Sequence, residues 1–93
     1  MMKRTIKRID IDVMTRLMIT LYKNGHEKKT NLARDANVNY DTCVHYLGYL
    51  EFIDFVKKTI EIKHEKYSLT NNGINFCKKI IHTKMDSNNQ VLI

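Results

Sequence analysis

Residues 33–50 read ARDANVNYDTCVHYLGYL, and the fold of the chain can be worked out from this stretch. Ala33 is small enough for two helices to cross closely, and Asn37 tolerates a left-handed backbone better than most residues. Val38 can fill the space between the helices, while Asn39 is a favoured N-cap residue. The pattern predicts two helices joined by a short, tight turn.

Apolar residues on both sides of the turn recur at helical spacing. The helix after the turn, helix three, is predicted over about residues 40–53, with a buried stripe made of Cys43, Tyr46, Leu47, Leu50 and Ile53. Helix two, before the turn, has room for about two turns, with Leu32 and Ala36 facing inward. Helix one is predicted at about 10–24, capped by Asp10 and ended by Asn24 and Gly25.

The composition changes after Phe55. Ile60 and Ile62 alternate with charged residues, and Tyr67 alternates with Leu69, which is typical of half-buried strands. We therefore expect a hairpin with its tip near residues 63–66. Thr70 can then cap a last helix of about 14 residues. Its apolar face contains Ile74, Phe76, Cys77, Ile80 and Ile81.

These elements predict a mainly α (α+β) architecture: a winged helix-turn-helix with three helices, a β-hairpin wing and a C-terminal helix. Ninety-three residues support a single core. We expect a basic N-terminal arm at 1–9, the folded domain at 10–85 and a tail at 86–93. The tail begins polar and is expected to be frayed unless Val91, Leu92 and Ile93 find a groove.

Several classes of function are disfavoured. No apolar run is long enough for a bilayer and no signal peptide is visible, so a cytoplasmic location is expected. Cys43 and Cys77 lie in helical patterns rather than a close pair, which predicts reduced core thiols, with no metal site and no disulfide. Ser68 and Ser87 have no nucleophile setting, and there is no phosphate-binding glycine loop. No catalysis, cofactor or small-molecule ligand is expected.

The charge is unevenly distributed. The net charge is +6 and the isoelectric point is about 9.4, which suggests a polyanion partner. Lys3, Arg4, Lys7 and Arg8 precede any acid, but residues 35–56 contain no lysine or arginine. Any affinity for a polyanion must therefore come from segments that flank helix three.

The motifs resemble the archaeal winged-helix DNA-binding proteins, which include small transcription regulators and a chromatin protein that dimerises through its last helix. The matching pieces are KKTNL, ANVNY with YLGYL, and YSLTNNGINF, within residues 10–82. Asp54 stands where most of these proteins have glycine, and aspartate also tolerates a left-handed backbone. Members of the group often carry arginine or lysine on helix three, where this chain has tyrosines and one histidine.

The resemblance implies binding of double-stranded DNA by a nucleoid-associated homodimer paired through the C-terminal helix, with helix three in the major groove. By position, it assigns contacts on helix three to Asn39, Tyr40, Thr42, His45 and Tyr49, and contacts on the wing to Lys63, His64 and Lys66. Charge would come from Lys28 and Lys29, from Lys57, Lys58, Lys63 and Lys66 around the wing, and from the arm. Neutral side chains on helix three would then determine the position of the protein on the DNA, while the flanking cations would attract the phosphates.

A second hypothesis remains open on the same residues. A tyrosine-rich helix without lysine also suits a protein–protein interaction module that binds a basic partner. Tyr40, His45 and Tyr49 would serve there equally well. Tyr46, in contrast, falls on the apolar stripe and is expected in the core.

Overall fold

The computed structural model describes the backbone of residues 9–92 and the side chains of residues 9–82. The helices are α1 (Ile11–Asn24), α2 (Lys29–Ala36), α3 (Tyr40–Phe52) and α4 (Asn71–Leu92), and the strands are β1 (Val56–Glu61) and β2 (His64–Leu69). The strands pair antiparallel. The winged helix-turn-helix prediction is confirmed.

Local capping explains where three helices begin. The side chains of Asp10, Asn39 and Thr70 each accept hydrogen bonds from backbone amides in the following turn. Such bonds satisfy N–H groups that have no partner inside the helix. Gly25, with φ of 88°, ends α1. The capping predictions are therefore confirmed.

The turn between α2 and α3 has the predicted left-handed residue. Asn37 has φ 58° and ψ 52°, and its backbone N–H donates to the carbonyl groups of Ala33 and Arg34. The Arg16 guanidinium on α1 donates to the carbonyl oxygens of Ala36 at 3.3 Å and Asn37 at 3.0 Å. The turn is thus held by its own backbone and by α1.

The core lies between α1, α2, α3, the first part of α4 and the base of the hairpin. Its fully buried side chains are Leu17, Met18, Leu21, Leu32, Cys43, Leu47, Leu50 and Cys77. Both cysteines are free, and burial raises the pKa of each thiol to about 11. They are protonated core residues, as predicted.

The turn of the hairpin is shorter than predicted and lies earlier in the chain. Glu61 pairs with His64, so the turn consists of Ile62 and Lys63 rather than the predicted region near 63–66. Tyr67 also exchanges two backbone hydrogen bonds with Glu27, at 2.8 and 3.0 Å, which adds a bridge on the far side of β2. This bridge joins residues too far apart in sequence for a local pattern to predict.

The prediction that β1 is half-buried is wrong. Ile60 is 66% exposed and Ile62 is 96% exposed, whereas Tyr67 and Leu69 are buried as predicted. Alternation predicts which side chains share a face, but not whether another element covers that face. The helices cover only the base of the hairpin, so its outer half extends away from the core.

α4 is longer than predicted. Its 22 residues continue to Leu92, so the expectation of a frayed tail is wrong for the backbone through that residue. Polar residues alone do not end a helix, and the sequence has no glycine or proline after Gly73.

The domain borders at 9/10 and 85/86 stay predictions. Ile9 packs against the core, and the rest of the arm lies outside the described residues.

Candidate nucleic-acid interface

The outward face of α3 carries the predicted neutral contacts. Asn39, Tyr40 and His45 are exposed, and Thr42 and Tyr49 are half-buried at its edges. The Asn39 side-chain oxygen accepts from the backbone N–H groups of Asp41 at 2.8 Å and Thr42 at 3.4 Å. Because this oxygen serves as the cap, the side-chain amide nitrogen is the group of Asn39 that can contact a ligand.

α3 is acidic rather than basic. It contains Asp41 and Glu51 and no lysine or arginine. Asp41, Thr42, His45 and Tyr46 line a shallow surface depression of about 300 Å³ near the start of the helix. The Asp41 carboxylate stabilises the helix by interacting with the positive end of its dipole, but it repels a phosphate that approaches there. Polyanion attraction must come from other elements.

The wing supplies exposed cations. Lys57, Lys58 and Lys63 are exposed, and the described residues place none of the three in an ion pair. Lys66 lies 3.8 Å from Glu61. Burial, with the nearby Glu51 and Glu65 carboxylates, raises the pKa of Tyr67 at the base of the wing, so its hydroxyl stays protonated.

The predicted lysines before α2 are partly buried. The Lys29 ammonium lies 3.9 Å from the Glu65 carboxylate on β2, and Lys28 occupies the N-cap position without a side-chain cap bond. A partly exposed ion pair at this distance contributes little to stability, so Lys29 can readily exchange the Glu65 carboxylate for another anion. The structure therefore brings the Lys29 ammonium beside the wing, while the Lys29 carbonyl oxygen accepts from the Cys43 thiol of α3 at 3.9 Å.

One long-range hydrogen bond fixes where the basic arm joins the domain. The backbone N–H of Asp10 donates to the Tyr46 hydroxyl at 2.8 Å. Tyr46 is otherwise buried, which confirms its predicted core position. The attachment point of the arm thus lies against α3, two residues after Arg8.

The sequence matches the model of the winged helix-turn-helix family over residues 7–86. The chain belongs to this family. A comparison with curated proteins finds no significant match.

Solved structures, two of them of transcription regulators, share this fold. RV1404 from Mycobacterium tuberculosis superposes with a TM-score of 0.83 at 13% identity, over 92% of this chain and 60% of that one. The MarR family transcriptional regulator SPO1453 from Silicibacter pomeroyi gives 0.74 at 14%, over 87% and 59%. MepR, a transcription regulator of the Staphylococcus aureus efflux pump MepA, gives 0.74 at 15%, over 87% and 64%. The chain spans about 60% of the length of these proteins, and the likeness shows the fold.

Two features of α3 were not predicted from the sequence. Gly48 is exposed in the middle of the helix, and a Cβ added there meets no atom within 4 Å. Phe52, one turn later, is 86% exposed. The winged-helix core requires neither residue in these positions. A glycine inside a helical pattern is a signal that could have been used, since it permits close approach of a partner.

Neither a metal cluster nor a membrane span is found in the described part of the chain. Residues 9–82 hold no group of three or more metal-ligating side chains. None of the described helices combines the length and apolar character needed to cross a bilayer.

Proposed function

We propose that this winged-helix domain is a small transcription regulator or chromatin-associated protein that binds double-stranded DNA. The observation that carries the proposal is the division of charge around α3. Its outward face is neutral or acidic, while exposed lysines lie on the wing and the basic arm joins the domain where Asp10 meets Tyr46 of α3. That arrangement suits a polyanion that contacts all three segments at once.

α3 would enter the major groove and choose position on the DNA. Thr42 and the Asn39 amide can hydrogen-bond to base edges or phosphates, and the Tyr40 and Tyr49 hydroxyls can donate to phosphate oxygens. His45 is exposed on the outward face of the helix. Thr42 and the Asn39 amide can therefore distinguish sequences without adding charge, and the two tyrosines can help to fix the orientation.

The wing and the arm would supply affinity. Among the wing cations, Lys57, Lys58 and Lys63 should contribute most, because they are free of ion pairs within the described residues. Lys66 and Lys29 must first exchange their glutamate partners for phosphates, and the exposed His64 imidazole can donate a hydrogen bond. Lys28 lies beside Lys29 at the start of α2.

We further propose a homodimer formed through α4. Phe76, on the predicted apolar face of this helix, packs on Phe55 with ring centroids 4.9 Å apart, and so belongs to the domain's own fold. Ile80 and Ile81 are only partly buried and remain for a second subunit. Light scattering should report a species of about twice 11.0 kDa; a stable monomer at micromolar concentration would contradict the dimer.

The resemblance to archaeal regulators and to a dimeric chromatin protein supports the same proposal. The site of action would then be the cytoplasm, at the nucleoid.

A second candidate function is a protein-interaction module. The exposed Phe52 and the 45% exposed Tyr40 favour it, because aromatic side chains are enriched at protein interfaces. A basic partner would complement the two carboxylates of α3.

A salt titration separates these functions. If about five phosphates are neutralised per subunit, log affinity for duplex DNA should fall with log salt at a slope near −4.5. Fluorescence polarisation with random-sequence duplex measures it. A slope shallower than about −2 would mean that the lysines are ordinary solvated surface residues. No binding at about 50 mM salt would reject DNA binding and favour the protein-interaction module.

A further inference from the structure

The tip of the wing is both apolar and strained. Ile62 is the first residue of the two-residue turn, has φ of 53° and is 96% exposed. Glycine is the usual residue at the first central position of hairpin turns with positive φ there, because it has no Cβ. A β-branched side chain is among the least suited to this backbone. Ile62 therefore suits neither the backbone conformation of the turn nor the exposure of its side chain to water.

We propose that Ile62 is an apolar wedge that enters the minor groove and partly unstacks a base step, so that the bound duplex bends. The inference rests on the proposed DNA-binding function and specifies how the wing contributes to it. Isoleucine is one of the side chains that architectural proteins insert between base pairs.

The geometry of the hairpin gives Ile62 the necessary reach. β1 and β2 each have six residues, which corresponds to roughly 20 Å of strand. Buried Val56 and Leu69 and the Glu27–Tyr67 bridge hold the base, while Ile60, two residues before Ile62, is already exposed. A two-residue turn is narrow enough for a groove about 6 Å wide.

One lysine at the tip is available to a phosphate. Lys63 is next to Ile62, is exposed and makes no ion pair with any described residue. It can hold a phosphate beside the inserted side chain. Two isoleucines on one hairpin tip cannot supply the roughly 800 Å² per partner that a stable protein interface buries. An insertion into a groove needs only one such side chain.

The wedge predicts bending that depends on Ile62. Wild-type protein should bend an end-labelled duplex by about 20–90°, measured by energy transfer between its ends. Ile62→Asn keeps a residue that tolerates the left-handed backbone but removes the apolar group, so it should bind and lose at least half of the bend. Ile62→Leu should retain the bend, and Ile11→Asn, at an exposed isoleucine on α1, should leave it unchanged.

The controls separate the wedge from unfolding and from the proposed function. Ile62→Asn should melt no lower than wild type, because the new residue suits the turn better. Equal bending by wild type and Ile62→Asn, or binding by wild type without bending, would overturn the wedge and leave DNA binding intact. No DNA binding by wild type would overturn both. Weaker self-association of Ile62→Asn without DNA would assign the tip to protein contact and also overturn the wedge.

Discussion

α3 and the wing stand side by side in this domain and are built in opposite ways. α3 packs one full face on the core and carries two carboxylates and no lysine or arginine. The hairpin is fixed only at its base and holds four lysines against two glutamates between residues 56 and 69. In a winged helix that binds DNA through both elements, the rigid one would select position and the cationic one would provide attraction.

The largest expected effect contrasts the inner face of α3 with the outer half of the wing. Leu47 is 1% exposed, so Leu47→Ala should cost about 2–5 kcal/mol of unfolding free energy. Ile60→Ala, on the uncovered part of β1, should cost less than about 0.5 kcal/mol because little apolar area is buried there. Urea denaturation measures both. Similar costs at the two sites would mean that the outer wing is packed against something.

The next effect tests the division of charge. Replacing Lys57, Lys58 and Lys63 together by glutamine should make the salt slope of DNA binding shallower by about 3, since each lysine that no longer neutralises a phosphate reduces the slope by about one unit. The matched change on α3, Tyr40→Phe with Thr42→Ala, should alter preference among DNA sequences while leaving the slope within about 0.5. The division fails if the α3 variant changes the slope as much as the lysine variant does.

A smaller effect concerns the joint between the arm and α3. Tyr46→Phe removes the acceptor of the Asp10 N–H and should lower the free energy of unfolding by about 0.5–1.5 kcal/mol. If the joint directs the arm toward DNA, affinity should fall further than in Tyr22→Phe, a control at an exposed tyrosine on α1. Equal affinity of the two variants would show that the arm acts independently of its attachment.

The smallest expected effect is that of a substitution at Gly48, which should raise stability but weaken DNA binding. Gly48→Ala should raise stability by about 0.5–1 kcal/mol, because alanine is the better helix former and its Cβ meets nothing in the domain. The same methyl group should weaken DNA binding if the backbone of α3 approaches the groove closely. Thermal melts and polarisation titrations measure the two changes. Unchanged affinity would remove Gly48 from the contact surface.

Only part of the candidate site could be predicted from the sequence. The residues on the outer face of α3 follow from helical periodicity once the buried stripe is identified, so their placement could be read from the sequence. The apolar apex of the wing could not, because the alternation of Ile60 and Ile62 with charged residues looks the same whether or not a helix covers that face. The pairing of Lys29 with Glu65 likewise depends on how α2 packs against the hairpin.

Local sequence patterns specify the caps, the left-handed turn residues Asn37 and Asp54 and the inward faces of the helices, because each depends on residues within a few positions of one another. The contact of Asp10 with Tyr46, 36 residues away, and the pairing of Glu27 with Tyr67 are visible only in the folded chain. Contacts of this kind are set by how whole elements pack, and packing also decides which apolar side chains stay exposed.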